Sequence, residues 1–313
     1  MARNVTIATL NMGYYNNGGL PGGYHHESSI KFGPTLEDNL RLFADKIREA
    51  GIGRHADFVC FSEHALTLGV QGSDEDLAVT VPGPETDRLA AAAREADCYV
   101  VMGLLEKAEP KPYNSAVLLG PQGDLVGVYR KVHITPGEYI TRSPGNAWPV
   151  FQTRHAVVGI QICYDYYFPE STRSLALQGA EIVFSPTMND GRGIEQEMAL
   201  QQARAIDNAI YYVSSVTFSG GHEAHGTARS VIIDPVGVIR ADSGFRDGWA
   251  IATVDLDDPF PQIWCGIPEP QRMRAMLYKC RRPDTYGAIT APKSSPPWRD
   301  IVLDGSNPPY PEI

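Results

Sequence analysis

"VVGIQICYDYYFPESTRSLALQGAEIV", residues 157–183, decides the fold class. It opens as an apolar run and passes through a single cysteine, Cys163. A helix pattern follows, with Pro169 near its start and Gly179 near its stop, before a strand pattern resumes at Ile182. The same alternation extends in both directions. Strand-like runs recur at "NVTIATLNM", "DFVCFSE", "CYVVMGLLE", "NSAVLLG", "DLVGVYRK", "AEIVFSP", "AIYYVSSV", "RSVIIDP" and "WAIATVDL". Helix patterns lie between several of them. "TLEDNLRLFADKIREAG" opens on a Thr cap with an acid three residues later, sets Leu40, Phe43 and Ile47 on one face, and is expected to close at Gly51. "GPETDRLAAAAREAD" and "IEQEMALQQARAIDNA" are equally helical. The loop in "NSAVLLGPQGDLVGVYRK" is too short for a parallel crossover, so this pair is an antiparallel hairpin and the sheets are mixed.

At 313 residues the chain is long for an ordinary domain but within the range of a single α/β domain. With 43% hydrophobic and 20% charged residues, and no apolar run approaching ~18 residues, it is expected to be a soluble globular protein with no membrane partner. The N-terminus enters a strand pattern directly, without an apolar signal core, so a cytoplasmic location is expected. Lys and Arg total 27 against 37 Asp and Glu, and the resulting field repels a polyanion; nucleic acid is not an expected partner. Five scattered cysteines without a C-x-x-C pair argue against a disulfide framework or a zinc site. Cys60, Cys98, Cys265 and Cys280 read as packing residues. The pairs His25–His26 and His222–His225 read as solvated loop residues, since no carboxylate or cysteine completes a metal-binding spacing.

Two segments fall outside the alternation. Residues 13–33 hold six glycines with Tyr14, Tyr15, Tyr24, His25 and His26, the composition of a mobile insertion able to act as a lid. Residues 289–313 hold six of the 24 prolines and are expected to form an extended tail at a subunit interface. The expected organisation is therefore one domain over 1–288 followed by the tail over 289–313, in a homodimer or higher assembly.

Three strand-like runs end on a chemically loaded residue: Glu63, Lys131 and Cys163. In α/β sheets, sites assemble just beyond strand ends. A free thiol near pKa ~8.5 is mostly protonated at neutral pH and needs a base or a cation to become a nucleophile. Glu63 is the candidate base and Lys131 the candidate cation.

"FVCFSEHAL", "GVYRKVHI" with Glu138 downstream, and "GIQICYDYYFPESTRSLALQGAEIVFSPT" resemble the three signature blocks of the nitrilase superfamily of carbon-nitrogen hydrolases, in matching order and spacing. "YNSAVL" (113–118), "SPGN" (143–146) and "RAIDN" (204–208) extend the resemblance, with Asp207 where Glu is more usual. It implies a four-layer α-β-β-α sandwich with mixed sheets and cofactor-independent, metal-independent hydrolysis of a non-peptide C–N bond. By position, Cys163 is then the nucleophile, Glu63 the general base and acid, and Lys131 a donor to the oxyanion together with the N–H of Tyr164. Glu138 is a second acid at the site, and the intermediate is a thioester.

"CYDYYFPE" is closer to the amidase and carbamoyl-amine branches than to true nitrilases, which carry Trp-Glu where this chain has Tyr164 and Asp165. The expected substrate is a small linear amide or N-carbamoyl compound. A nitrile is the alternative within the class, and an inactive binding or scaffold protein the alternative outside it. Tyr164, Tyr166, Tyr167 and Asn189 are the candidate substrate contacts. In the branch that hydrolyses N-carbamoyl-D-amino acids, two arginines stand where this chain has Tyr166 and Tyr167, so a substrate without a carboxylate is expected here. Arg142 and Arg192 are the alternative sources of a carboxylate clamp.

Overall fold

The computed structural model describes residues 2–14, 30–189, 194–219, 229–244, 247–263 and 269–291. Calls on His25, His26, Arg192, His222, His225, Cys265, the body of the 13–33 insertion and the tail from 292 onward lie outside the described residues. The chain divides into two compact units, Met1–Phe260 and Pro261–Ile313. In the second unit, β-strand Pro261–Gln262 pairs antiparallel with Gln271–Arg272. That hairpin leads into a short helix, Met273–Lys279.

The first unit runs β1 (Asn4–Tyr14), α1 (Leu36–Arg54), β2 (Phe58–Cys60), α2 (Asp74–Leu77), α3 (Pro84–Glu95), β3 (Tyr99–Glu106), β4 (Tyr113–Leu119) and β5 (Leu125–Arg130). It continues α4 (Glu138–Thr141), β6 (Val150–Gln152), β7 (Val157–Ile160), α5 (Pro169–Leu177), β8 (Ile182–Asn189), α6 (Ile194–Asn208), β9 (Tyr211–Ser219), β10 (Val231–Ile233), β11 (Ile239–Asp242) and β12 (Gly248–Asp255). No described helix is long and apolar enough to cross a membrane.

Local chemistry accounts for the helix ends. Thr35 caps α1 by accepting the Asp38 N–H at 3.2 Å. The helix does not stop at Gly51 but runs to Arg54 and closes on His55 in the left-handed region (φ 54°). Gly51 serves packing instead, because a Cβ there would lie 2.6 Å from the Ala96 Cβ. Pro169 occupies the first turn of α5, and Gly179 ends it at φ +108°.

The strand path is β5-β4-β3-β2-β1-β9-β8-β7-β6, with β10 and β11 beyond β9 and β12 on β1. β4 and β5 form the antiparallel hairpin, and β7, β8 and β9 are parallel neighbours. β1 joins the two sheets: Ile7 pairs with Phe58 of β2, whereas Met12 pairs with Thr217 of β9. The sheets face each other. Phe58 of β2 lies 5.5 Å from Phe184 of β8, centroid to centroid, and the Thr9 hydroxyl donates to the Ser214 carbonyl at 2.8 Å.

Alternate residues of the first sheet point outward, and Leu10, Val59, Val100 and Met102 share a core with Phe43 and Ile47 of α1 and Leu89 of α3. On the other side α5 covers β7 so closely that a Cβ on Gly159 would meet Leu175 at 3.1 Å. The result is a four-layer α-β-β-α sandwich with mixed sheets. Both faces of each central strand are buried, which is why those strands read as continuous apolar runs.

Candidate active site

Glu63 follows β2, Lys131 ends the β5 hairpin, Glu138 opens α4, and Cys163 follows β7, so four strand or helix termini deliver one cluster. Glu63, Lys131 and Glu138 are 3%, 2% and 9% exposed, too dry for a charge to persist without a partner. Lys131 Nζ donates to Glu63 Oε1 at 2.8 Å and to Glu138 Oε2 at 2.9 Å. Asn114 on β4 gives both amide hydrogens to the same pair, to Glu63 Oε1 at 2.7 Å and Glu138 Oε1 at 2.8 Å. Both partners are acceptors, which fixes the orientation of the amide. Gly103 makes the approach possible, since a Cβ there would stand 2.3 Å from the Ser62 carbonyl oxygen.

Met188, near the end of β8, connects the Glu63 carboxylate and the Cys163 thiol through one peptide strand. Its N–H donates to Glu63 Oε2 at 2.8 Å, and its carbonyl accepts the Cys163 thiol at 3.3 Å. Cys163 is half-buried and sits at φ 45°, a left-handed conformation that a cysteine adopts only under constraint. Asp165 supplies the constraint. Its carboxylate accepts the Ile162 N–H at 2.9 Å, the Tyr129 hydroxyl at 2.6 Å and the His133 N–H at 2.9 Å, and lies 3.0 Å from His133 Nδ1. One buried acid thereby ties the turn at Cys163 to the segment that carries Lys131. Arg204 of α6 braces the far end of the turn by donating to the Tyr166 carbonyl at 2.9 Å.

The charges set one another. Burial acts to raise the Glu63 carboxyl, but the Lys131 ammonium overcomes it and holds the group below the usual carboxylate range. Glu138 experiences the same opposition and is held well below that range by Lys131 and the Thr135 N–H. Lys131, which burial would deprotonate, is instead raised by Glu63, Cys163 and Glu138. Burial pushes the Cys163 thiol well above its usual value, and the Glu63 charge adds to the effect. The resting site is therefore a thiol beside a carboxylate and an ammonium.

His64 and Arg142 stand behind the carboxylates. Arg142 Nη1 donates to Glu138 Oε1 and to His64 Nε2, both at 2.8 Å, while its Nε reaches Asp74 Oδ2 at 2.8 Å. Glu63, His64 and Glu138 offer ligand atoms within 4.8 Å of one another. Lys131 nevertheless bridges the two carboxylates and Arg142 covers His64 Nε2, so the trio is an ion-pair cluster. The guanidinium of Arg142 faces these acids and is not available as a carboxylate clamp.

Among the candidate substrate contacts, Tyr164 and Tyr167 are half-buried, with ring centroids 5.5 Å apart. Tyr166 differs from the sequence expectation. It is 2% exposed, and its hydroxyl donates to Glu197 Oε1 at 3.0 Å, because the 3-10 turn Cys163–Tyr167 rotates it inward under α6. The side chain of Asn189 lies outside the described residues. Of the cysteines read as packing residues, Cys60 and Cys98 are buried, whereas Cys280 is exposed at the end of its short helix. Sequence reasoning missed Asn114, His64, Asp74, Asp165 and the Met188 peptide. His64, Asn114 and Asp165 lay inside quoted blocks, "FVCFSEHAL", "YNSAVL" and "CYDYYFPE", but their spacing revealed no role.

A thiol, a carboxylate and an ammonium thus converge at strand ends of an α-β-β-α sandwich. Residues 28–259 match the family model "Carbon-nitrogen hydrolase", and the chain belongs to that family, whose members act on C–N bonds other than peptide bonds. It is similar to omega-amidase NIT2-B of Xenopus laevis, 31% identical over 258 residues covering 78% of this chain and 92% of the relative. It is also similar to N-carbamoylputrescine amidase of Solanum tuberosum, 30% identical over 246 residues covering 72% and 75%. Among solved structures, a carbon-nitrogen hydrolase from Helicobacter pylori G27 shares the fold at TM-score 0.72 and 19% identity, over 93% of this chain and 99% of that one. An amidase from Nesterenkonia sp. shares it at TM-score 0.65 and 23% identity, over 81% and 92%.

Proposed function

We propose that the protein is a thiol amidohydrolase that cleaves a small linear amide or N-carbamoyl compound through a thioester at Cys163. The observation that carries this reading is the Met188 strand, which holds the protonated thiol and the ionised Glu63 on one backbone. Glu63 takes the thiol proton as sulfur attacks the carbonyl carbon, and returns it to the departing nitrogen as the C–N bond breaks. Ammonia or an amine leaves. A water then gives a proton to Glu63 and its oxygen to the thioester, releasing the acid and restoring the thiol.

Lys131 has three N–H donors; Glu63 Oε1 takes one at 2.8 Å, and Glu138 accepts at both oxygens, 2.9 Å at Oε2 and 3.2 Å at Oε1. The longer contact to Glu138 Oε1 is the one that gives way to the developing oxyanion, alongside the N–H of Tyr164 at the start of the turn. One such donor is worth ~10² to 10³ in rate. In a variant of the Nesterenkonia sp. amidase, the acetamide moiety of fluoroacetamide is found added covalently at the active-site cysteine, which supports a thiol route here.

The favoured substrate lacks a free carboxylate on its tail. Arg142 is engaged by Asp74, Glu138 and His64, and Arg204 by the carbonyls of Tyr166 and Tyr167. Phenols offer single neutral hydrogen bonds in place of a guanidinium fork. An ammonia-release assay over amides, carbamoyl compounds and nitriles tests the reading, with each tail presented as a free carboxylate and as its neutral form. Turnover of amides or carbamoyl compounds is expected. Activity on nitriles alone overturns the reaction, and a tenfold higher kcat/KM for free carboxylates overturns the tail.

A further inference from the structure

Behind the carboxylates lies an arm that the reaction above does not use. Arg142 follows α4 directly, one turn beyond Glu138. Its Nε and Nη2 grip Asp74 at 2.8 and 3.3 Å, and Thr141 donates to the same Asp74 at 2.6 Å. Its Nη1 reaches Glu138 Oε1 and His64 Nε2. An arginine does not surrender its proton, so His64 Nε2 is the bare nitrogen of a neutral imidazole whose hydrogen is on Nδ1. Nδ1 is buried without a hydrogen-bond partner among the described residues.

The charges around this arm alternate. Glu63 and Glu138 share the single ammonium of Lys131 and the single amide of Asn114. Two carboxylates sharing one cation titrate as a pair, one of them binding a proton readily. Arg142 adds a second cation, hydrogen-bonded to Glu138 and not to Glu63, and Asp74 on the far side holds that cation in place. Among the described residues, His64 is the remaining titratable group against the arm; it is neutral and adds no charge.

We propose that Arg142, braced by Asp74, is a positioning residue that keeps Glu138 an anion, so that Glu63 alone carries the proton moved in the reaction. The inference rests on the reading of Glu63 as the base. Its sign is definite: without the guanidinium the carboxylate pair binds a proton at higher pH, and the competent, doubly ionised form is lost sooner on acidification.

The test is iodoacetamide alkylation of Cys163 against pH, followed by peptide mass spectrometry, which needs no substrate. In the wild type, Cys163 should react faster at pH 7 than the exposed Cys280, with an acid limb set by the carboxylate pair. Arg142→Gln should move that limb up by about one pH unit, slowing alkylation about tenfold on the limb and less than about threefold above it. Arg142→Lys keeps the charge and should leave the limb in place. Asp74→Asn loosens the brace on Arg142 and should move it up by less than Arg142→Gln does. Uniform slowing of Arg142→Gln with an unmoved limb overturns the inference. If Arg142→Gln does not melt cooperatively, a limb that stays or moves down in Asp74→Asn overturns it equally. A wild-type Cys163 no faster than Cys280 refutes the base assignment itself.

Discussion

Lys131 Nζ lies 2.8 Å from Glu63 Oε1 although 68 positions separate them in the chain, and neither side chain is more than 4% exposed. Taking both charges out of water costs several kcal/mol per ion. Such a pair persists only where good geometry and further hydrogen bonds offset that cost. Asn114, Glu138 and the Met188 N–H supply those bonds. A buried pair of this kind is weak as a source of stability, and its chemistry is the better reason for its presence.

Removing the cation alone should therefore be severe. Lys131→Met leaves Glu63 and Glu138 buried without their ammonium and is expected to cost about 3 to 5 kcal/mol and abolish turnover. The loss should be largest near pH 8 and shrink toward pH 5, because without Lys131 the carboxylates protonate more readily and shed their charge. Denaturant melts of wild type and variant at both pH values check this; a loss independent of pH contradicts it.

Cys163→Ala removes one sulfur and one thiol contact to the Met188 carbonyl, a change worth less than about 1 kcal/mol. The variant should melt within a few degrees of wild type and show no turnover. Cys163→Ser should be nearly inactive, since an alcohol is a far poorer nucleophile beside the same carboxylate. Near wild-type activity in either variant refutes the thiol route.

Asp165→Asn should report the constraint on the turn. The substitution exchanges a charged acceptor for a neutral amide among the Ile162 N–H, the Tyr129 hydroxyl and His133. About 2 to 4 kcal/mol of stability should go with it. kcat should fall more than KM rises, because the left-handed φ of Cys163 relaxes while the rest of the pocket stays. Steady-state kinetics beside a thermal melt separates the two effects.

His64 should leave a signature in acid. Burial first, and the Arg142 charge second, hold its pKa down at about 4 in the folded protein. The unfolded chain takes up this proton near pH ~6.5, so stability falls as pH drops from there toward 4, by up to about 3 kcal/mol. His64→Gln keeps an acceptor for Arg142 and should flatten that decline. Unfolding free energies at pH 7.5, 5.5 and 4.5 decide it; parallel curves rule the contribution out.

The sequence by itself determined the elements whose signals lie within a few residues of one another. The Thr35 cap, Pro169 and Gly179 set helix ends, unbroken apolar runs marked the central strands, and one short loop required the β4–β5 hairpin. Three spaced blocks also revealed which strand ends carry Glu63, Lys131 and Cys163. Tertiary structure decided the rest. The short strands β6 and β11 exist through pairing alone. The path of α1 through Gly51 depends on Ala96, and the inward turn of Tyr166 on Glu197. Arg142 reads in sequence as a loop cation open to a substrate, and only the approach of Asp74 and His64, 68 and 78 positions away, makes it part of the interior. Caps and periodicity act over one or two turns of chain. Charge pairing in a dry interior acts between any groups the fold brings within about 3 Å, whatever their separation in sequence.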